Sequence, residues 1–177
     1  MFLAIGLVIT GHAILTPMLM VLMMITGDFL AMSSTTDNVE PSPQPNSWRI
    51  GSLTIAGVIM GFCDLAFCAA TLAFGKYWLA LPIATLQTLT LVTLVFNGQA
   101  VFYVVRERRR LWSSRPSLIV ILSSIADMVI IPTLAAFGFL MAPLPVKLIA
   151  GVFAAAVVLA FALDFVKVAL FRLLKMA

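Results

Sequence analysis

Long apolar runs broken by short polar stretches set the organisation of this chain. Residues 52–75, 78–105, 117–141 and 148–171 are each almost free of charge and reach the roughly 20 residues that carry an α-helix across about 30 Å of hydrocarbon. Such long, almost uncharged runs call for hydrocarbon rather than water as their surroundings. The amino-terminal part divides differently. MFLAIGLVIT is too short to cross, and residues 13–34 are long enough but carry Pro17 near their start and contain Gly27 and Asp28. The pattern predicts a partial helix over 1–11, the tail of a longer one, followed by a fifth full span over 13–34. The expected fold is an all-α, polytopic transmembrane helical bundle forming one domain over 1–177.

Composition agrees with that pattern. Of 177 residues, 63% are hydrophobic and 10% charged, with a mean hydropathy of +1.15, against about a quarter charged in a soluble domain. A secretory leader does not fit the first residues, because no basic n-region precedes the apolar run and the first basic residue after His12 is Arg49. Cys63 and Cys68 fall within one apolar run and are spaced as small packing residues rather than as a disulfide or metal pair.

The connections predict topology. DNVEPSPQPNSWR, residues 37–49, holds Pro41, Pro43 and Pro45 and reads as an extended loop outside the hydrocarbon. RERRRLWSSR, residues 106–115, holds five arginines. Basic loops stay cytoplasmic, which puts this loop, the 37–49 loop and the carboxyl end with Lys167, Arg172 and Lys175 inside, and the links around His12, Lys76 and Lys147 outside. Nine of the eleven Lys and Arg then share the cytoplasmic side. The expected topology is multi-pass with the carboxyl terminus cytoplasmic and the bilayer itself as the first partner. The net charge of +4 reflects that asymmetry; the arginine run sits between two spans and suits anionic headgroups, not nucleic acid. Trp48, Tyr77, Trp78 and Trp112 fall near span ends, as interfacial aromatics do.

Carboxylates inside apolar runs are the candidate chemistry. Asp28, Asp64, Asp127 and Asp164 are four of seven acidic residues, and an ionised Asp at the bilayer centre costs about 2.5–3.5 kcal/mol on insertion scales. A facing cation, a polar network, a bound ion or protonation must offset that cost. Asp164 precedes Lys167 by one turn, which predicts a local pair or snorkelling to the interface. Asp64 has no cation in its segment and must face another helix, in a packing network or a transport path. Asp127 follows Ser123 and Ser124 and precedes Pro132, allowing local hydrogen bonds and a helix irregularity. Gln87, Asn97 and Gln99 can bridge helices through their amides. Asp28 stands in ITGDFLAMSSTTD, where a glycine and a run of hydroxyls predict a discontinuous helix, with carbonyls and a carboxylate together at membrane depth, a cation or proton site. The methionines Met18, Met20, Met23, Met24 and Met32 crowd the same segment and suit adaptable packing.

Three strings carry a resemblance: LTPMLMVLMMITGDFLAMSSTTDNVEPSPQPNSWRIGSLTIAG, TLQTLTLVTLVFNGQAVFYVVRERRRLWSSRPS and FGFLMAPLP. In that order they resemble the carboxyl-terminal membrane region of prokaryotic plasma-membrane type proton-exporting P-type ATPases, from late in the fifth membrane helix through the tenth. The resemblance implies a pump in which aspartyl phosphorylation by ATP drives protons outward. It also implies that Asp28, matching the sixth-helix aspartate, takes up and releases the proton; Asp64, Gln87, Asn97, Asp127 and Asp164 are candidate supporting polar residues by their place inside the apolar runs. Gly27 stands where the family commonly has Asn. Nothing in the chain resembles the phosphorylated Asp-Lys-Thr-Gly motif or the nucleotide domain. By the resemblance, then, ATP and Mg²⁺ belong to domains on another segment or chain, which is the implied partner, and this chain has no catalytic residue and no cofactor of its own. The alternative is an autonomous membrane protein, a proton-coupled carrier or structural subunit, built on the same bundle.

Overall fold

The computed structural model describes residues 1–38, 50–107, 110 and 112–173. The loop prolines Pro41, Pro43 and Pro45, together with Trp48, Arg49, Arg108, Arg109 and Lys175, lie outside the described residues, as does the side chain of Arg172.

Among the described residues the chain is six α-helices in sequence: α1 Phe2–Thr10, α2 Pro17–Ser34, α3 Ile50–Tyr77, α4 Ile83–Val105, α5 Leu118–Phe137 and α6 Val146–Leu173. The last five are long and apolar enough to cross a membrane, and the protein is a multi-pass membrane protein. The nine residues of α1 reach about 14 Å, roughly half the hydrocarbon.

Local chemistry moves several boundaries inward from the apolar runs. The span expected over 13–34 becomes helical only at Pro17, because the Thr16 hydroxyl caps the helix by accepting from Leu19 N–H (3.3 Å) and Pro17 takes the first turn, where its missing N–H costs nothing. The span expected from 78 begins at Ile83: Pro82 disfavours a helical Leu81, and Ala80 adopts φ 47°. The span expected to reach 141 stops at Phe137, where Gly138 takes the left-handed conformation (φ 69°) and its N–H closes the helix on Leu134 O. In α3 and α6 the helix instead outruns the runs expected over 52–75 and 148–171.

Helix α4 lies at the centre of the bundle, packed against α2, α3, α5 and α6, while α1 rests on α3. Its span is 61% buried, against 11% for α2. The core joins Leu86, Leu89, Val92 and Phe96 of α4 to Leu72 of α3, Ile131 of α5 and Val152 of α6. Large apolar side chains such as Val21, Phe62, Ile125 and Val158 point outward, the arrangement expected where lipid tails replace water. The helices alternate in direction, so the ends of α2, α4 and α6 share one face with the starts of α3 and α5. Arg106, Arg110 and Arg115 lie in the α4–α5 connection on that face, the arginine side of the bundle. Tyr77, Trp78, Phe137 and Phe139 are exposed at the opposite side, as an interfacial aromatic belt requires.

Short helix α1 is anchored by small-residue packing and by a cation. Lys76 Nζ donates to Ile9 O, satisfying a carbonyl of its last turn. A methyl group placed on Gly6 would come within 2.8 and 2.9 Å of Ile14 Cγ1 and Cγ2, and Ile14 is a buried, β-branched core residue with little room to rotate. Gly6→Ala is expected to cost about 1–3 kcal/mol and to loosen α1, read as faster amide exchange of residues 2–10. Unchanged exchange would mean that α1 does not depend on this contact.

Candidate functional site

Polar side chains inside the bundle gather on α4. Asn97, 2% exposed, donates through Nδ2 to Asp64 Oδ1 on α3 and to Cys68 Sγ (3.2 Å). Two residues further on, Gln99 Nε2 donates to Asp127 Oδ2 on α5 (2.8 Å). Residues 97 and 99 sit about 200° apart around the helix, which is why one amide serves α3 and the other α5. One turn nearer the arginine side, Tyr103 O–H and Ser124 Oγ lie 2.9 Å apart, making a second rung between α4 and α5. Each interhelical bond of this kind contributes about 0.6 kcal/mol in membrane bundles, so their larger effect is to set which faces meet. The local serine bonding expected for Asp127 is not observed: its partner is Gln99, and Ser124 pairs with Tyr103 instead, because α4 brings both donors within reach. Pro132 lies inside an uninterrupted α5.

Gln87 bridges as an amide, though not between two spans. Its Nε2 donates to Ala13 O (2.7 Å) in the α1–α2 turn. Cys68 is buried and both cysteines are free thiols.

Asp164 and Lys167 form a pair at 2.7 Å with side chains 3% and 1% exposed. Snorkelling does not describe this lysine: Nζ points inward and also donates to Val104 O (2.8 Å) and Glu107 O (3.1 Å), satisfying the carbonyl end of α4.

Asp28 is separate from all of these. It is exposed on α2, about 9 Å before the helix ends at Ser34, and among the described residues no hydrogen bond or ion pair reaches its carboxylate. The discontinuity expected around it is absent. Helix α2 runs unbroken from Pro17 to Ser34 because its hydroxyls fold back one turn, Thr26 Oγ1 to Met23 O (2.9 Å), Ser33 Oγ to Leu30 O (2.8 Å) and Ser34 Oγ to Ala31 O (2.6 Å), instead of competing for the ladder. No backbone carbonyls are therefore freed beside Asp28. The adjacent Gly27 leaves the surface open, with no atom within 4 Å of where a Cβ would stand.

Gly27 also lines a cleft of about 590 Å³ between α2 and α4. Leu30, Ala31, Gly98 and Phe102 form its walls, and Asp37 and Arg106 close its arginine-side end. That ion pair escaped the sequence reading, which placed Asp37 in an extended loop outside the hydrocarbon and named no partner for it. Arg106 grips Asp37 through Nε (2.7 Å) and Nη2 (3.2 Å), while Ser117 N–H (3.1 Å) and Asn38 N–H (3.0 Å) also donate to Asp37 Oδ1. Burial by itself pushes the Asp37 carboxyl up; the Arg106 hydrogen bonds and charge and the two backbone N–H groups outweigh it and hold the group below its ordinary value of 3.8. Only the occurrence of a lone Asp three residues past a span could have hinted at it.

Among the described residues no three His, Cys, Asp or Glu side chains converge as a metal site. Neither a protein-family model nor any curated protein matches this chain.

Proposed function

We propose that this chain is the membrane portion of an ATP-driven proton pump of the P-type kind, supplying the intramembrane carboxylate of the transport path while another segment or chain supplies ATP hydrolysis. The observation that carries the reading is the isolation of Asp28. Asp64, Asp127 and Asp164 each have a side-chain partner, whereas Asp28 lies at membrane depth on an outward surface with none among the described residues. A bare carboxylate facing lipid costs about 2.5–3.5 kcal/mol. That cost is offset when further helices cover the α2 surface or when the group carries a proton, and a pump uses both. The poorly buried, methionine-rich surface of α2 suits a mobile contact with such helices.

In this reading the arginine side is cytoplasmic, following the positive-inside bias, and the membrane is the plasma membrane, as the sequence resemblance implies. The cleft between α2 and α4 then runs from Gly27, which precedes Asp28 in sequence, to the Asp37–Arg106 pair that closes its cytoplasmic end. A proton bound at Asp28 neutralises it in the inward state, and a turn of α2 driven by phosphorylation elsewhere exposes it to the outside, where it dissociates. The sequence resemblance of the Asp28 segment supports the same assignment.

ATP-dependent proton uptake into vesicles tests it, with this chain alone and with a co-expressed fragment carrying the phosphorylation and nucleotide domains. Transport is expected only in the combined sample and should vanish in Asp28→Asn with insertion intact. Undiminished transport in that variant would overturn the role of Asp28. The core that the bundle builds around α4 favours a second reading, an autonomous carrier or structural subunit; gradient-driven transport by the chain alone would select the carrier.

A further inference from the structure

A buried carboxylate elsewhere in the bundle has the donors and acceptors of a proton site. Asp127 is 5% exposed and Gln99 3% exposed, and the Gln99 amide nitrogen donates to Asp127 Oδ2 while its amide oxygen, Oε1, is buried with no hydrogen-bond partner. A carboxylate only accepts, so an ionised Asp127 leaves that oxygen unsatisfied. A carboxylic acid adds one O–H, the single donor the pair lacks. Acid and primary amide are then complementary, each donating once and accepting once.

We propose that Asp127 and Gln99 form a proton-binding site within the membrane, in which Asp127 holds the proton as a neutral acid and donates it to Gln99 Oε1. Among the described residues, the charged groups around it do not supply a competing cation. On α4, Arg106 is bound to Asp37 from the end of α2; on α6, Lys167 is bound to Asp164; and Asp28 is exposed on α2, with no hydrogen bond or ion pair to its carboxylate among the described residues. The same donor pattern recurs at Asn97, whose Nδ2 donates to Asp64 while Oδ1 is buried and unpartnered, so the orphaned oxygen belongs to the motif of amide and acid rather than to one side chain.

The surroundings suit retention of the proton. Beside Gln99 a cavity of about 240 Å³ is walled by Phe96, Met128, Phe153 and Phe161, which provide no polar group to solvate a charge. Tyr103, also on its wall, forms its rung with Ser124 one turn toward the arginine side.

The site does not depend on the pump reading, and the test needs no ATP. In the full chain in lipid nanodiscs at neutral pH, infrared spectra should show a carboxylic-acid C=O band that shifts in D₂O, loses intensity in Asp127→Asn and moves to higher frequency in Gln99→Leu. Asp28→Asn and Asp64→Asn identify the bands of the other carboxyls. The ¹³C carboxyl shift of Asp127, read by solid-state NMR in the unsubstituted chain, gives the protonation state without relying on any variant to fold. An ionised Asp127 shift, or an acid band indifferent to Gln99→Leu, would overturn the proposal. A protonated shift with the band displaced by Gln99→Leu would establish it.

Discussion

Lys167→Met is expected to destabilise the bundle by about 3–5 kcal/mol, the cost of removing one partner from a buried ion pair. The magnitude follows from burial: Lys167 is 1% exposed, deeper than any cation at a snorkelling position, and its ammonium joins Asp164 to the carbonyls of Val104 and Glu107. Its loss takes the cation from a buried carboxylate and leaves two carbonyls at the α4 terminus without their donor. Because α6 makes the most extensive contact with α4, the damage falls on the main seam of the fold. Met keeps the stem's volume, so the deficit is electrostatic rather than a cavity. Lys167→Met combined with Asp164→Asn should recover part of the loss, since the buried negative charge is removed together with the cation that faced it. Equilibrium unfolding in mixed micelles measures both. A single variant within about 1 kcal/mol of the parent would show that the pair behaves as an exposed one.

Arg106→Ala should produce the second large effect, again about 3–5 kcal/mol, and should loosen three segments together. Arg106 ties Asp37, beyond the end of α2, to Ser114 O (3.3 Å) and Ser114 Oγ (3.2 Å) ahead of α5, while Asp37 holds Ser117 N–H. The guanidinium uses its planar fork here, so Arg106→Lys keeps the charge and loses the two-point grip, and should recover only part of the stability. The pair also sets a pH dependence. Asp37 lies below its ordinary value of 3.8 in the folded state, so the folded state binds fewer protons than the unfolded one in that range. Its stabilisation is complete above the unfolded value and is lost as pH falls below 3.8 through the folded value. Unfolding measured from pH 6 to pH 3 should show that acid-side loss in the parent and a flatter profile in Asp37→Asn. Identical slopes would remove Asp37 as its source.

Apolar run lengths alone determined that this is a multi-pass membrane protein with five spans and a short first helix, because a bilayer demands about 20 apolar residues per crossing and leaves few alternatives. Boundaries were less legible. Hydropathy continues through Trp78–Pro82 and past Gly138, and only backbone conformation ends the helices there. The sequence also marked which carboxylates need an account, and the i,i+3 spacing named Lys167 for Asp164. Partners across helices could not be read, since Asn97 meets Asp64 and Gln99 meets Asp127 through rotations of α4 against α3 and α5 that depend on the whole core. Nor could the continuity of α2: hydroxyl and glycine content weakens a helix on average, but these hydroxyls donate to the carbonyls three residues earlier in the same helix. Sequence by itself determined the solvent, the number of crossings and the residues out of place in it, because those follow from composition along one dimension. Tertiary structure decided which of those residues are satisfied and which, like Asp28, are left facing outward, because hydrogen bonding at membrane depth depends on the faces that packing brings together.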